Sequence, residues 1–162
     1  MPMNSSRDRA TAAAGLQARV PLLVLDTNVV LDWVAFGDPR VGAIVSAIEG
    51  GALRPVTNAA CLEELRRALG YSAVKLDAVA QALALERYAA RATPLEFPLH
   101  DDAANLPQCE DPDDQKFLHL AWYAGAEWLI TRDKALLKLA RRVALLGRFR
   151  VLAPHEYDAW RR

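Results

Sequence analysis

The chain has 162 residues, 52% of them hydrophobic and 25% charged, with 20 basic residues against 20 acidic ones. That length and balance point to one compact domain with a real core and exclude wholesale disorder. Zero net charge excludes a grip on nucleic acid by bulk positive charge, but the charge is uneven. Residues Glu86 to Asp114 hold eight acids and two bases, a net of −6, whereas Arg132 to Arg162 hold nine bases and three acids, a net of +6.

In chain order, residues 1–20 are rich in Arg, Ser and Ala and lack the continuous apolar stretch of a signal peptide. A disordered extension is expected there, with a transit peptide as the alternative that Asp8 weakens. Leu22-Leu23-Val24-Leu25 is a continuous apolar run bounded by Pro21 and Asp26, the pattern of a strand buried on both faces in a parallel sheet. Val29 to Phe36 reads as a short helical turn. Arg40 to Glu49 reads as a helix stopped by Gly50-Gly51. Leu53 to Thr57 is a second strand, which Pro55 places near a strand start. Asn58 caps a helix to Leu69, with Leu62, Leu65 and Leu69 inward and Gly70 closing it. An Ala/Leu-rich helix is expected from Ala73 to Arg91, then a proline-rich loop from Thr93 to Pro112. A helix from Asp113 to Ala124, a strand Glu127 to Thr131, a helix Lys134 to Arg142, a strand Phe149 to Leu152 and a short helix after Pro154 complete the chain. Alternating strands and helices imply βαβ units and an α/β fold around a parallel sheet.

Cys61 and Cys109 cannot build a disulfide framework and form no CxxC pair, which fits a reduced, cytoplasmic setting. No apolar run reaches the ~20 residues that cross a membrane, so no membrane association is expected.

Ligands of open parallel sheets bind beyond the carboxyl ends of the strands. Asp26 ends the first strand with Asn28 two residues on; Thr131 ends the later strand with Asp133 two residues on. Glu64 lies early in the helix after the second strand, and Asp114 at the start of a later one. Each has an ordinary reading alone. Asp and Asn are common turn and cap residues, Asp113 and Asp114 suit a helix N-terminus, and Glu64 suits a solvated helix face. Together, four carboxylates in one crevice would repel strongly, and a divalent cation relieves that repulsion. Oxygen donors without a histidine pair or thiolate cluster suit Mg²⁺ or Mn²⁺ rather than zinc. Such a metal polarises a phosphate oxygen and activates water, which suggests phosphodiester hydrolysis.

Four blocks of this sequence resemble, in order and spacing, the signature blocks of PIN-domain ribonucleases, in the branch of toxins of toxin–antitoxin systems. They are Leu25-Asp26-Thr27-Asn28-Val29-Val30, Glu64-Leu65-Arg66-Arg67-Ala68-Leu69, Cys109 to Leu118, and Leu129-Ile130-Thr131-Arg132-Asp133-Lys134-Ala135-Leu136-Leu137. The resemblance covers about Pro21 to Tyr157. It implies a three-layer α/β/α, Rossmann-like PIN domain over 21–158, with a parallel sheet of four or five strands, an N-terminal extension over 1–20 and a tail over 159–162. It also implies that Asp26, Glu64, Asp114 and Asp133 form the catalytic, Mg²⁺- or Mn²⁺-binding quartet, supported by Asn28, Thr131 and Asp111. The implied activity is RNA hydrolysis, commonly by a homodimer, silenced by a cognate antitoxin.

Arg66, Arg67, Lys116, Arg132 and Lys134 flank these acids and are candidates to meet RNA phosphates, with a solvated helix face as the ordinary alternative. With the acids neutralised by metal, the basic C-terminal third becomes a candidate RNA-facing surface. His119, Trp122, Tyr123 and Trp128 read as packing residues, and Cys109 as a small packing residue rather than a reactive thiol. Two other classes stand beside the nuclease: a non-catalytic PIN-like domain that binds RNA or protein, and a receiver-like phospho-acceptor domain. The second needs a lysine at the end of the last strand, where this chain has Leu152-Ala153-Pro154.

Overall fold

A computed structural model describes residues 19–97, 103 and 105–161. Most of the expected N-terminal extension, part of the proline-rich loop and Arg162 lie outside the described residues. The elements, in order, are β1 (Leu22–Leu25), α1 (Thr27–Val34), α2 (Gly42–Glu49), β2 (Arg54–Thr57), α3 (Ala59–Leu69), α4 (Ala78–Ala89) and β3 (Thr93–Pro94). They continue with α5 (Gln115–Ala124), β4 (Trp128–Ile130), α6 (Lys134–Leu137), α7 (Ala140–Ala144), β5 (Arg150–Leu152) and α8 (Tyr157–Trp160). Among the described residues, no helix is long and apolar enough to cross a membrane.

The five strands form one parallel sheet in the order β3-β2-β1-β4-β5. The chain winds outward from β1 to β3, returns through α5, and continues on the other side as β4 and β5. Strand order therefore reverses at β1, the point where such sheets open a crevice.

Side chains alternate along a strand, so β1 feeds two cores. Leu23 and Leu25 meet residues of α1, α2, α3 and α4, among them Val29, Trp33, Ile44, Leu65 and Tyr88. Val24 meets Phe117 and Leu118 of α5, Leu136 of α6 and Val143 of α7. Leu129 and Val151 join the second core, Ile130 and Leu152 the first. Helices thus cover both faces, and the expected three-layer α/β/α fold with a parallel sheet is the observed one.

Several boundaries differ from the sequence expectation for local reasons. The helix expected from Ala73 begins at Ala78, because the Asp77 carboxylate caps the Ala80 amide at 2.8 Å. Lys75 just before it takes a left-handed conformation, φ 59°. The helix expected over 134–142 is two helices. A tight turn at Leu139, whose amide donates to the Leu136 carbonyl, keeps Leu136, Leu139 and Val143 all in one core. Strand β3 falls inside the expected loop; two residues, one a proline, give no periodic signal.

Pro55 sits in an inner strand without breaking it. The Arg54 amide donates to the Pro21 carbonyl on the β1 side, so position 55 faces β3, and β3 begins pairing only opposite Val56.

Gly125 ends α5 at φ 64°, a conformation that costs other residues about 1–2 kcal/mol. A methyl group there would touch nothing within 4 Å. Gly125→Ala is therefore expected to lower unfolding stability by about 1 kcal/mol through backbone strain alone, measured by denaturant titration, with Gly125→Asn recovering part of the loss.

Candidate functional site

Asp26 leaves β1 at its carboxyl end, and its amide still donates to the Ile130 carbonyl of β4 at 3.0 Å. Its side chain is 3% exposed. The Thr131 hydroxyl donates to Asp26 Oδ2 at 2.7 Å and accepts the Asp133 amide at 2.9 Å. One buried hydroxyl thus joins the carboxyl ends of the two central strands and aligns the two acids. Asp133 also caps α6, its Oδ1 accepting the amides of Ala135 and Leu136 at 2.8 and 3.1 Å. Its ordinary reading as a cap and its candidate role coexist.

The helix-borne acids approach from the other side. Asn58 Oδ1 caps α3 through the Cys61 amide at 2.9 Å, which fixes the helix that carries Glu64. Glu64 is ion-paired with Lys116 of α5. Asp111 accepts the Asp113 amide at 2.9 Å and so forms the turn that presents Asp114.

The electrostatics show how close these groups come. Burial, then the charges of Asp26, Asp133, Asp111 and Glu64, push the Asp114 carboxyl up to about 6. Burial also raises the Asp26 carboxyl, and the charges of Glu64 and Asp133 raise it further. The Thr131 hydroxyl and the Asn28 amide favour its ionised form but do not outweigh burial. Asp26 and Asp114 therefore both lie in the field of Glu64 and Asp133, and Asp114 also in that of Asp111.

A cleft bordered by Glu64, Asp111 and Asp114, but not by Asp26 or Asp133, has a volume of about 400 Å³. Thr27, Asn28, Glu64 and Asp114 line it together with Asp111, and Arg67, Lys116 and Tyr71 complete its wall. Tyr71, 61% exposed, had no signal in the sequence beyond following the Gly70 stop. Of the five candidate phosphate contacts, Arg67 and Lys116 reach this cleft. Arg66 forks onto Glu63 at 2.9 and 2.6 Å, and Lys134 is exposed outside it. Arg132 is held by the buried Asp32, Nε to Oδ2 at 2.7 Å and a terminal nitrogen to Oδ1 at 2.9 Å. That tie fixes the backbone between Thr131 and Asp133, and a partner 100 residues away could not be read locally.

His119 and both cysteines stay in their packing roles. Burial lowers the His119 imidazole and keeps it neutral; its ring meets Tyr123 edge-on at 6.5 Å. Burial pushes the Cys61 thiol up to about 12 and raises that of Cys109, which makes both poor nucleophiles.

Among the described residues, no three acidic, histidine or cysteine groups are drawn tightly enough to cage a metal as the side chains lie. Glu64 is turned to Lys116, and Asp133 to its cap. The donor chemistry nonetheless fits a hard divalent cation: oxygen ligands only, with Asp114 raised by burial and by the negative charges beside it.

A family model described as a PIN domain matches residues 22–135. Comparison with curated proteins gives no match. Among solved structures, a chain from the crystal structure of VapBC2 from Rickettsia felis bound to a DNA fragment from their promoter is similar, with a TM-score of 0.55 at 14% identity. The match covers 82% of this chain and 98% of that one, and it shows a shared fold.

Two outcomes are expected at this site. Asp114 holds its proton more tightly folded than at its ordinary 3.8, so native protein binds extra protons between pH 3.8 and about 6 and loses stability as pH rises through that window. In EDTA, Asp114→Asn should stabilise the protein on the order of 1 kcal/mol above about pH 7, with the gain vanishing below the unfolded-state value, as pH-dependent melting would show. Thr131→Val leaves the Asp133 amide without its acceptor and Asp26 without its donor. It should cost about 1–3 kcal/mol in denaturant unfolding, while Thr131→Ser stays near wild type.

Proposed function

The chain belongs to the PIN-domain family, and on that footing we propose that it is a divalent-metal-dependent endoribonuclease, the toxin of a toxin–antitoxin pair. The observation that carries the reading is that Asp26 and Asp133, joined through the Thr131 hydroxyl, share the point where strand order reverses with Glu64 and Asp114, whose charges reach Asp26 and Asp114. The toxin role is supported by the sequence blocks that resemble that branch, and the fold shared with the Rickettsia felis VapBC2 chain is consistent with it.

Mg²⁺ or Mn²⁺, held by Asp26, Glu64, Asp114 and Asp133, would supply charge neutralisation at the phosphate and an activated water. The chain's own residues set the stage. Thr131 fixes the orientation of Asp26, and Asp133 is aligned by the same hydroxyl. Asp111 braces the turn beneath Asp114. Asn28 lines the cleft beside Thr27, where its amide group can hydrogen-bond a ribose or phosphate. Lys116 is the counter-charge that Glu64 holds at the cleft, and it is placed to meet a phosphate together with Arg67. Tyr71 offers an exposed ring on which an unpaired base can stack.

The proposed partners follow from the same reading: RNA as substrate, a cognate antitoxin protein, and a second copy of the chain, in the cytoplasm where the RNA is. Val79 and Leu83, one turn apart on α4 and 70% and 60% exposed, give an apolar surface suited to a protein partner.

Purified protein with Mn²⁺ is expected to cleave single-stranded RNA. Asp26→Asn or EDTA should slow cleavage roughly a thousandfold, read on a denaturing gel. Cleavage that persists in EDTA or in the variant overturns the reading. In a bacterial host, expression of the wild type but not of Asp26→Asn should arrest growth; equal growth of the two overturns the toxin role.

A further inference from the structure

Two bases of the C-terminal third lie away from the acids. Arg148 and Arg150 stand at the start of β5, and Arg150 is in register with Trp128, the first residue of β4. They therefore mark the amino ends of the strands, about 10 Å along the sheet from Thr131. A second cleft opens there, lined by Glu127, Trp128, Gly147, Arg148, Arg150 and Trp160, with a volume of about 370 Å³.

Its two arginines are ordered in an unusual way for this protein. The Arg148 guanidinium lies 4.1 Å from the centroid of the Trp122 ring, and that of Arg150 lies 4.1 Å from the Trp160 ring. Neither makes a hydrogen bond or an ion pair among the described residues. By contrast Arg40, Arg66, Arg87 and Arg132 are all engaged by carboxylates. Glu127 shares the cleft but pairs with neither arginine.

A guanidinium held over an indole ring has given up rotamer freedom yet keeps N–H donors that the ring does not engage. Two such groups beside one concave wall form a prepared fork for an anion, with the ordering cost already met by the fold. Trp160, 44% exposed at the rim, adds an aromatic surface of the kind on which bases stack. The chain as a whole is neutral and the cleavage cleft is acidic, so a polyanion needs a local positive anchor to stay bound.

We propose that this cleft is a second RNA site, which holds a backbone phosphate between Arg148 and Arg150 and a neighbouring base against Trp160. The identity of the ligand rests on the ribonuclease reading above; the anion site itself rests on the two arginines held over indole rings, which meet no carboxylate among the described residues.

The test is binding without turnover: fluorescence anisotropy of a labelled single-stranded RNA with the Asp26→Asn protein in EDTA. Arg148→Gln with Arg150→Gln should weaken binding roughly tenfold and reduce the slope of log K against log salt by about 2. Trp160→Leu, which leaves both arginines in place, should weaken binding with a smaller change in slope. Melting temperature is followed for each variant; if the double variant does not fold, Trp160→Leu and the single Arg150→Gln decide. Unchanged affinity in the folded variants overturns the proposal. So does displacement of the RNA by inorganic phosphate or adenosine monophosphate at concentrations comparable to the RNA, which would mark a site for a free anion or nucleotide. Failure of wild-type cleavage with arginine-dependent binding intact would sink the nuclease reading alone. Cleavage with arginine-independent binding would sink this one alone.

Discussion

The buried hydrogen bond from Thr131 to Asp26 is the constraint around which the site is organised. It joins the ends of two neighbouring strands that are 105 residues apart in sequence, and it does so where an ionised carboxyl has almost no water. A buried carboxylate is expensive unless donors or counter-charge surround it. Here the fold supplies the Thr131 hydroxyl and the Asn28 backbone amide and crowds further acids nearby, so the deficit of positive charge is structural. The sheet, both hydrophobic cores and the two helices that bring Glu64 and Asp114 all serve to hold that deficit in place.

Much of this was legible because its signals are local. The apolar run of β1, the Asn58 cap and Gly70 stop of α3, and the left-handed Gly125 after α5 each act within a turn of their own residues. The positions of Asp26 and Asp133 just beyond two strands were legible too, since strand ends announce themselves in hydropathy. What the sequence could not display were relations between distant segments. The Glu64–Lys116 and Asp32–Arg132 pairs link elements far apart in the chain, and each changes what a basic residue has left to offer. The break at Leu139 likewise reflects the shape of a core rather than a breaker residue.

The division of charge seen in the composition also takes on a spatial meaning. Acids from β1, α3, the turn before α5 and the end of β4 lie at one end of the sheet. Arg148 and Arg150 lie at the other, drawn there because β5 starts where β4 starts.

The prolines on the β3 side of the sheet have a consequence for life in a crowded cell. Strand β3 is only two residues long and pairs with the upper half of β2, whose Pro55 below it is buried. Amides alternate along a strand, and the Leu95 amide points inward to Thr57, which turns position 94 outward just as position 55 faces away from β1. Both positions are proline. An invading strand from another chain would find no donor at the exposed Pro94, so this margin resists the edge-to-edge stacking that seeds aggregation.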